Sequence, residues 1–189
     1  MNQMSKAFVK ESDGDDDEVG NEPEIPQGVK NYITPHGARK LQEELRHLKY
    51  DLRPEITKMV TWAAENGDRS ENADYQYNKK KLRDIDKRMR FLGKRLDSVE
   101  VIDPLLHKEK GSDQIFFGAT VVIRDEDRSE KTYSIVGLDE IDMEKGRISW
   151  ISPLASALLK ARVGDYVSFK SPKGLREIEV VEIRYEELL

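Results

Sequence analysis

The chain of 189 residues is long enough for one large domain or two small ones, and 37% of its residues are charged, with a formal net charge of −5. It contains no cysteine, which excludes disulfides, thiolate metal sites and cysteine nucleophiles and suits a reducing cytosol. It has no apolar run long enough to span a membrane and no apolar signal-peptide core, so we expect a cytoplasmic protein without a membrane partner.

The charge is unevenly distributed along the chain. Residues 1–30 carry a net charge of −5, residues 31–102 carry +4, and residues 103–189 carry −4. A basic segment between two acidic ones indicates a local contact with a polyanion, as opposed to a protein that coats nucleic acid with its whole surface.

Residues 1–30 are predicted to form an acidic tail. They hold an acidic run at residues 13–18, followed by Pro23 and Pro26, and they contain few large apolar residues. Such a segment cannot bury enough surface to offset its ordering entropy, so we expect it to be disordered. The alternative is a binding arm that folds back onto the basic helices.

Thr34 and Pro35 form a helix start, with threonine as the N-cap and proline at the first helical position. An apolar seam then recurs at three- and four-residue steps, as expected for one face of a long helix. Pro54 lacks an N–H and crowds the preceding turn, so we expect it to interrupt and kink this helix. The seam consists of Leu41, Leu45, Leu48, Leu52, Ile56, Met59 with Val60, and Ala63.

A second apolar seam has the spacing of a coiled coil and predicts a second helix. The Asn66-Gly67 pair between the seams supplies residues that tolerate the left-handed conformation at a helix end. Because the connection is short, the two helices must pair antiparallel. We predict a coiled-coil hairpin over residues 31–103 and a linker over residues 104–112. The second seam consists of Leu82, Ile85, Met89, Leu92, Leu96 and Val99.

Beyond the linker the apolar period becomes strand-like, which predicts a small α+β domain over residues 113–189. Ser152 and Pro153 are expected to begin a short helix through Leu159. Five strands are expected, at residues 119–123, 132–136, 147–151, 166–169 and 178–183.

The tip between the helices, residues 67–75, allows two interpretations. In the first, Asp68 or Ser70 caps the second helix, and Glu71 completes a capping box. In the second, the carboxylates of Asp68, Glu71 and Asp74 share a Mg²⁺ whose other ligands come from a partner and its phosphate. Aromatic residues accompany these acids: Trp62, Tyr75 and Tyr77.

Basic residues dominate the second helix from residue 79 to residue 95, with nine bases against two acids. One interpretation is the solvated face of a coiled coil. The other is a basic surface that follows a nucleic-acid backbone without reading its sequence. The bases are Lys79, Lys80, Lys81, Arg83, Lys87, Arg88, Arg90, Lys94 and Arg95.

The segment from Gly67 to Tyr75, together with residues 79–88, resembles the bacterial transcript-cleavage factors of the GreA/GreB family. The dense basic run and residues 90–96 are closer to the GreB branch. Residues 32–35 and 151–165 are also similar to the family. The resemblance covers residues 31–189 and leaves out residues 1–30.

The resemblance implies that the second domain has an FKBP-like fold and binds RNA polymerase, with Ser152 and Pro153 in the docking region. Ile151 stands where we expect a polar residue, which leaves two alternatives: a different contact at this position, or a docking contact centred elsewhere. The hairpin is expected to enter the secondary channel of the polymerase. The protein is then not itself an enzyme: it activates the polymerase to cleave the 3′ end of backtracked nascent RNA, so that arrested complexes resume elongation. An FKBP-like fold does not imply prolyl isomerase activity.

By their positions in the family motif, Asp68 and Glu71 are expected to hold a Mg²⁺ shared with the polymerase active site, and Ser70 is expected to assist by orienting water or the backbone. No ion is expected to bind stably to this chain alone, which we expect to be a monomer. The residues expected to guide the nascent RNA are Lys79, Lys80, Lys81, Arg83, Lys87 and Arg88.

Two other functions fit the same shape. A regulator of RNA polymerase that occupies the secondary channel without supporting cleavage remains open because of the acidic tail and Ile151. A coiled-coil scaffold or chaperone hairpin is the third, although a chaperone is expected to expose an apolar tip.

Overall fold

The computed structural model describes residues 30–66, 72–109, 111–172 and 174–188. These residues form a helical hairpin followed by a small domain built on a five-stranded sheet, which confirms the predicted α+β class. The acidic tail predicted for residues 1–30 lies, except for Lys30, outside the described residues. Within the described ranges, no helix is long and apolar enough to cross a membrane.

The first arm of the hairpin begins at Thr34, as predicted. Thr34 is the N-cap of α1 (Pro35–His47), and its Oγ1 accepts a hydrogen bond from Gly37 N at 3.1 Å. A π-helical segment (Leu48–Leu52) leads into α2 (Arg53–Glu65). Because Pro54 cannot donate to the carbonyl four residues earlier, the helix widens before it, and the N–H of Arg53 donates to the carbonyl of Leu48. The interruption predicted at Pro54 is therefore the π-helical segment that precedes it.

The second arm is α3 (Ala73–Ser98), which packs against the first arm through the predicted apolar seams. Arg53 Nε lies 2.7 Å from Asp86 Oδ1. Nearer the base of the hairpin, Arg88 Nε lies 2.7 Å from Glu44 Oε1. Residue numbers thus rise along α3 as they fall along the first arm, and the arms are antiparallel, as predicted. The core of the hairpin includes Leu41, Leu48, Ile56, Ile85 and Leu92.

Two short strands close the base of the hairpin, and neither was predicted from the sequence. β1 (Asn31–Ile33) pairs in parallel with β2 (Val99–Val101). As a result α3 ends at Ser98, before the helix end predicted at residue 103. Strands of three residues are too short to show an alternating pattern, and Val99 continues the spacing of the helical seam. A short helix, α4 (Leu105–Glu109), follows within the predicted linker.

The second domain contains all five predicted strands. They are β3 (Ala119–Asp125), β4 (Glu130–Val136), β5 (Arg147–Ser149), β6 (Tyr166–Ser171) and β7 (Gly174–Tyr185). The sheet order is β5-β4-β3-β7-β6, with β4 and β5 parallel and the other neighbours antiparallel. The predicted helix is α5 (Pro153–Leu158), and its apolar side joins the buried face of the sheet through Ala155 and Leu158.

The two domains meet at the base of the hairpin, where Glu140 contacts the start of α1. The Glu140 carboxylate accepts hydrogen bonds from Thr34 N at 3.0 Å and from the Thr34 hydroxyl. It also accepts one from Gly137 N at 3.1 Å, within its own domain. In a capping box, a glutamate of the same helix bonds to the N–H of the N-cap residue. Here the other domain supplies that glutamate.

A buried ion pair and an aromatic cluster complete the domain contact. Arg95 Nε lies 3.0 Å from Asp139 Oδ1, and their side chains are 6% and 10% exposed. Burial raises the pKa of Asp139 more than the Arg95 guanidinium lowers it. The ring of Tyr32 lies 5.0 Å from that of Trp150 and 5.7 Å from that of Phe117, measured between centroids. These contacts bind the hairpin base to the second domain.

Candidate functional site

Asn66 is the C-cap residue of α2 at the tip. Asn66 itself is not left-handed, with φ −109° and ψ 26°, and Gly67, the other residue of the pair predicted to tolerate that conformation, lies outside the described residues. The Asn66 side-chain amide donates to Trp62 O at 2.7 Å, and its backbone N–H donates to Ala63 O at 3.3 Å. These contacts occupy carbonyls that the end of the helix leaves without intrahelical partners.

Asn72 begins α3 and ties it to the end of α2. Its Oδ1 accepts a hydrogen bond from Tyr75 N at 3.1 Å, which makes Asn72 the N-cap. Its Nδ2 donates to Ala63 O at 2.9 Å, across the gap between the two arms. The prediction that Asp68 or Ser70 caps this helix is therefore wrong. Asn72 is an equally good capping residue by type, and it lies directly before the first helical turn.

The carboxylates predicted to be functional are not required to start α3. Asp68, Ser70 and Glu71 lie outside the described residues, and their roles stay predictions. The third acid, Asp74, is exposed in the first turn of α3, where the helix dipole favours a negative charge. Within the part of the chain that the structure describes, no group of three or more His, Cys, Asp or Glu side chains is arranged to hold a metal ion.

Aromatic side chains surround the tip on both arms. Trp62 on α2 is 63% exposed and Tyr77 on α3 is 67% exposed. Tyr75 is half-buried, and Lys79 Nζ lies 5.9 Å from the centre of its ring. Large exposed aromatic surfaces are costly to leave in water and are common where bases or partner surfaces bind.

Five bases of α3 form one continuous surface, which we call the basic stripe. They are separated by steps of three or four residues, so they lie above one another on a single face of the helix. All are exposed or half-buried, and Lys80 borders them. At 1.5 Å per residue the stripe is about 22 Å long. Its members are Lys79, Arg83, Lys87, Arg90 and Lys94.

The other bases lie on the opposite side of the apolar seam. Arg88 makes a two-point contact with Glu44, with Nε 2.7 Å from Oε1 and Nη2 3.0 Å from Oε2. Arg95 is in the buried pair with Asp139, and Lys81 lies on the same flank. Of the six bases predicted to contact RNA, Lys81 and Arg88 are therefore away from the stripe. Arg90 and Lys94 extend the stripe, and the periodicity of the bases is the sequence signal for them.

The segment predicted to dock on a polymerase begins α5. Ser152 Oγ accepts a hydrogen bond from Ala155 N at 3.2 Å, so its hydroxyl caps the helix. Pro153 is exposed at the first helical position. Ile151 is half-buried, and its N–H donates to Ser149 Oγ at 3.3 Å. The exposed residue at the start of α5 is therefore the apolar Pro153, and the docking role of Ser152 and Pro153 stays a prediction.

Comparison with known proteins identifies the family. The family model described as "Transcription elongation factor, N-terminal" matches residues 31–101. The model described as "Transcription elongation factor, GreA/GreB, C-term" matches residues 109–185. The first match covers the hairpin and the second covers the sheet domain. The chain therefore belongs to the GreA/GreB family of transcription elongation factors.

Two similar proteins are described as transcription elongation factor GreB, and one similar solved structure is described as a GreA factor homolog. The transcription elongation factor GreB of Neisseria meningitidis serogroup B is 53% identical over 157 residues, which are 83% of this chain and 95% of that protein. GreB of Pseudomonas putida is 48% identical over 155 residues, 82% of this chain and 94% of the relative. The crystal structure of GreA factor homolog 1 (Gfh1) of Thermus thermophilus is 26% identical, covers 82% of this chain and 99% of its own, and has a TM-score of 0.37.

Proposed function

We propose that this elongation factor binds RNA polymerase, inserts its hairpin into the secondary channel and stimulates cleavage of the 3′ end of backtracked nascent RNA. The polymerase performs the cleavage with its own active site, so the factor is an activator and not an enzyme. Membership in the GreA/GreB family and the form of the hairpin support this function. The main supporting observation is the geometry of the hairpin end, where the side chain of Asn72 joins the end of α2 to the start of α3. This end lies at the far side of a hairpin whose second arm, α3, is about 39 Å long.

The tip acids are proposed to act together with the polymerase. Asp68 and Glu71 carry carboxylate oxygens, the ligands that Mg²⁺ prefers, so the donor type fits. Two carboxylates are too few for an independent site, and the remaining ligands would come from the polymerase and the RNA phosphate. Bound there, Mg²⁺ supplies Lewis-acid activation of a water for hydrolysis of the phosphodiester. Ser70 is proposed to orient that water.

The rest of the chain has a positioning role in this proposal. Because Asn72 caps α3, the carboxylates of the tip can serve a partner without loss of the helix start. The basic stripe, with Lys80 beside it, guides the extruded RNA toward the tip through contacts with its phosphates. The sheet domain docks on the polymerase surface through the corner at Ser152 and Pro153, and one copy of the chain suffices.

The test uses purified, stalled and backtracked elongation complexes. Asp68→Asn and Glu71→Gln should slow RNA cleavage by a factor of about 100 or more while polymerase binding is retained, since removal of one preorganised electrostatic contact has that effect in enzymes. Asp74→Asn is the matched control, because this exposed acid lies beyond the cap of α3 and should be tolerated.

Undiminished cleavage by both tip variants would refute the assignment of the acids. A wild-type protein that binds the polymerase and leaves the RNA uncut would establish instead the channel regulator without cleavage activity.

A further inference from the structure

The basic stripe has an anionic ligand available in the same chain. We propose that the acidic run at residues 13–18 binds the basic stripe and competes there with RNA. The run contains five carboxylates in six residues: Asp13, Asp15, Asp16, Asp17 and Glu18. Residues 1–30 precede both of the ranges that match the family models, so this contact would regulate this chain in addition to the function of the matched domains.

The charges of the described hairpin select the stripe as the binding surface. On the other flank of α3, the carboxylates of Glu44 and Asp139 lie 2.7 and 3.0 Å from Arg88 and Arg95, and these carboxylates would repel a polyanion there. On the stripe, five bases follow one another at helical steps on one face, so their summed positive charge attracts a polyanion. An extended run of six residues spans about 20 Å, close to the length of about 22 Å estimated for the stripe.

The covalent connection permits this contact. The run ends at Glu18, thirteen residues before Asn31, and Asn31 pairs with Val99 directly after α3. Thirteen residues can span at most about 45 Å. Along α3, Lys94 lies about 6 Å and Lys79 about 28 Å from the helix end at Ser98. The whole stripe is therefore within reach of the acidic run from its anchor at the hairpin base.

Competition of this kind would suppress binding to free RNA. An isolated RNA strand must displace a tethered competitor, whereas RNA held in a polymerase beside the inserted hairpin has a high effective concentration of its own. The docking of the run on the stripe does not depend on the proposed cleavage function. Its effect on RNA rests on the proposed role of the stripe in guiding RNA.

The contact can be tested in the full-length chain by paramagnetic relaxation. Because the chain contains no cysteine, Gly14→Cys places a single spin label inside the run without removing a charge. At low ionic strength we expect line broadening of α3 amides along residues 79–94. The broadening should disappear at about 0.5 M salt, where exposed charges are screened within a few ångströms. It should also disappear when the five acids are changed to Asn or Gln.

Three results would overturn the docking. They are the absence of broadening along α3, broadening that persists without the acids, and equal broadening in a mixture of spin-labelled chain with separate ¹⁵N-labelled chain. The last result would assign the contact to a second copy.

Competition is measured with a single-stranded RNA oligonucleotide by fluorescence anisotropy, without polymerase. Neutralising the five acids should tighten RNA binding about five- to ten-fold at low salt, the scale of a few exposed ion pairs, and the difference should vanish at high salt. Broadening combined with unchanged RNA affinity would refute the competition and the RNA-guiding role of the stripe. The cleavage test of Asp68 and Glu71 would be unaffected by that result.

Discussion

The two hydrogen bonds of Asn72 can be separated by substitution. Asn72→Ala removes both the cap on Tyr75 N and the bond to Ala63 O. The cap contributes about 1 kcal/mol and the second bond about 1 kcal/mol, so this variant should lose about 2 kcal/mol of hairpin stability. Asn72→Asp keeps an oxygen for the cap but replaces the donor to Ala63 O with an acceptor oxygen, so the bond between the arms is lost. Its negative charge at the start of α3 returns about 0.3–1 kcal/mol, so its net loss should be smaller than that of Asn72→Ala.

The stability of both variants is measured by urea unfolding followed by circular dichroism. Amide hydrogen exchange at Tyr75 reports the cap locally. We expect fast exchange at Tyr75 in Asn72→Ala and near-normal exchange in Asn72→Asp. Asn78→Asp is the matched control, since Asn78 Nδ2 donates to Asp74 O at 2.9 Å within α3 and that contact does not join the arms.

Cleavage assays then isolate the contact between the arms. If the bond from Asn72 to Ala63 positions the tip, Asn72→Asp should slow cleavage at saturating factor, although its helix is capped and its affinity for the polymerase is normal. Cleavage at the wild-type rate by Asn72→Asp would refute the positioning role. Equal destabilisation by Asp and Ala would refute the assignment of Asn72 as the cap.

Three further predictions concern the domain contact. Arg95→Leu leaves Asp139 buried without its cation and should lower the free energy of unfolding in urea by about 3–5 kcal/mol. Adding Asp139→Asn to this variant should recover part of that loss. An unchanged urea midpoint in Arg95→Leu would contradict a stabilising role for the buried pair. Because the folded pKa of Asp139 is raised, its contribution to the free energy of unfolding should fall as pH rises from the ordinary aspartate pKa through the raised value, and Asp139→Asn alone should remove this slope. Gly37→Ala would normally favour a helix, but here the added Cβ overlaps the Glu140 carboxylate. We therefore expect thermal unfolding to show a loss of stability of roughly 1–3 kcal/mol. A gain in stability would show that the Glu140 side chain can move away without cost.

The sequence predicted those parts of the fold that repeat over many residues. The seams of the two arms and the five strands have periods of 3.6 and 2, which a single chain segment displays by itself. The start of α1 was also predicted correctly, because Thr34 and Pro35 form a local signal. The cap of α3 was not, since Asp68, Ser70 and Asn72 are all good capping residues by type, and it is the hydrogen bond from Tyr75 N to Asn72 Oδ1 in the folded chain that identifies the cap.

The contacts between the domains could not be predicted from local patterns. Thr34 and Glu140 are 106 residues apart in the chain, and the sequence around each residue contains no local signal for the contact between them. The basic residues of α3 show the same limit. Helical spacing alone assigns the stripe to one face of α3, but the partners of Arg88 and Arg95, which are Glu44 and Asp139, lie on other segments of the chain and have no local sequence signal.

The placement of Glu140 makes the first turn of the hairpin thermodynamically linked to the second domain. When the domains are together, the carboxylate completes the start of α1; any rotation that separates them withdraws that carboxylate and leaves Thr34 N–H to water. A partner that separates the sheet domain from the hairpin must therefore also supply the free energy that the first turn of α1 loses with this carboxylate. By reciprocity, a partner that binds the hairpin and stabilises the first turn of α1 favours the arrangement in which the two domains are in contact.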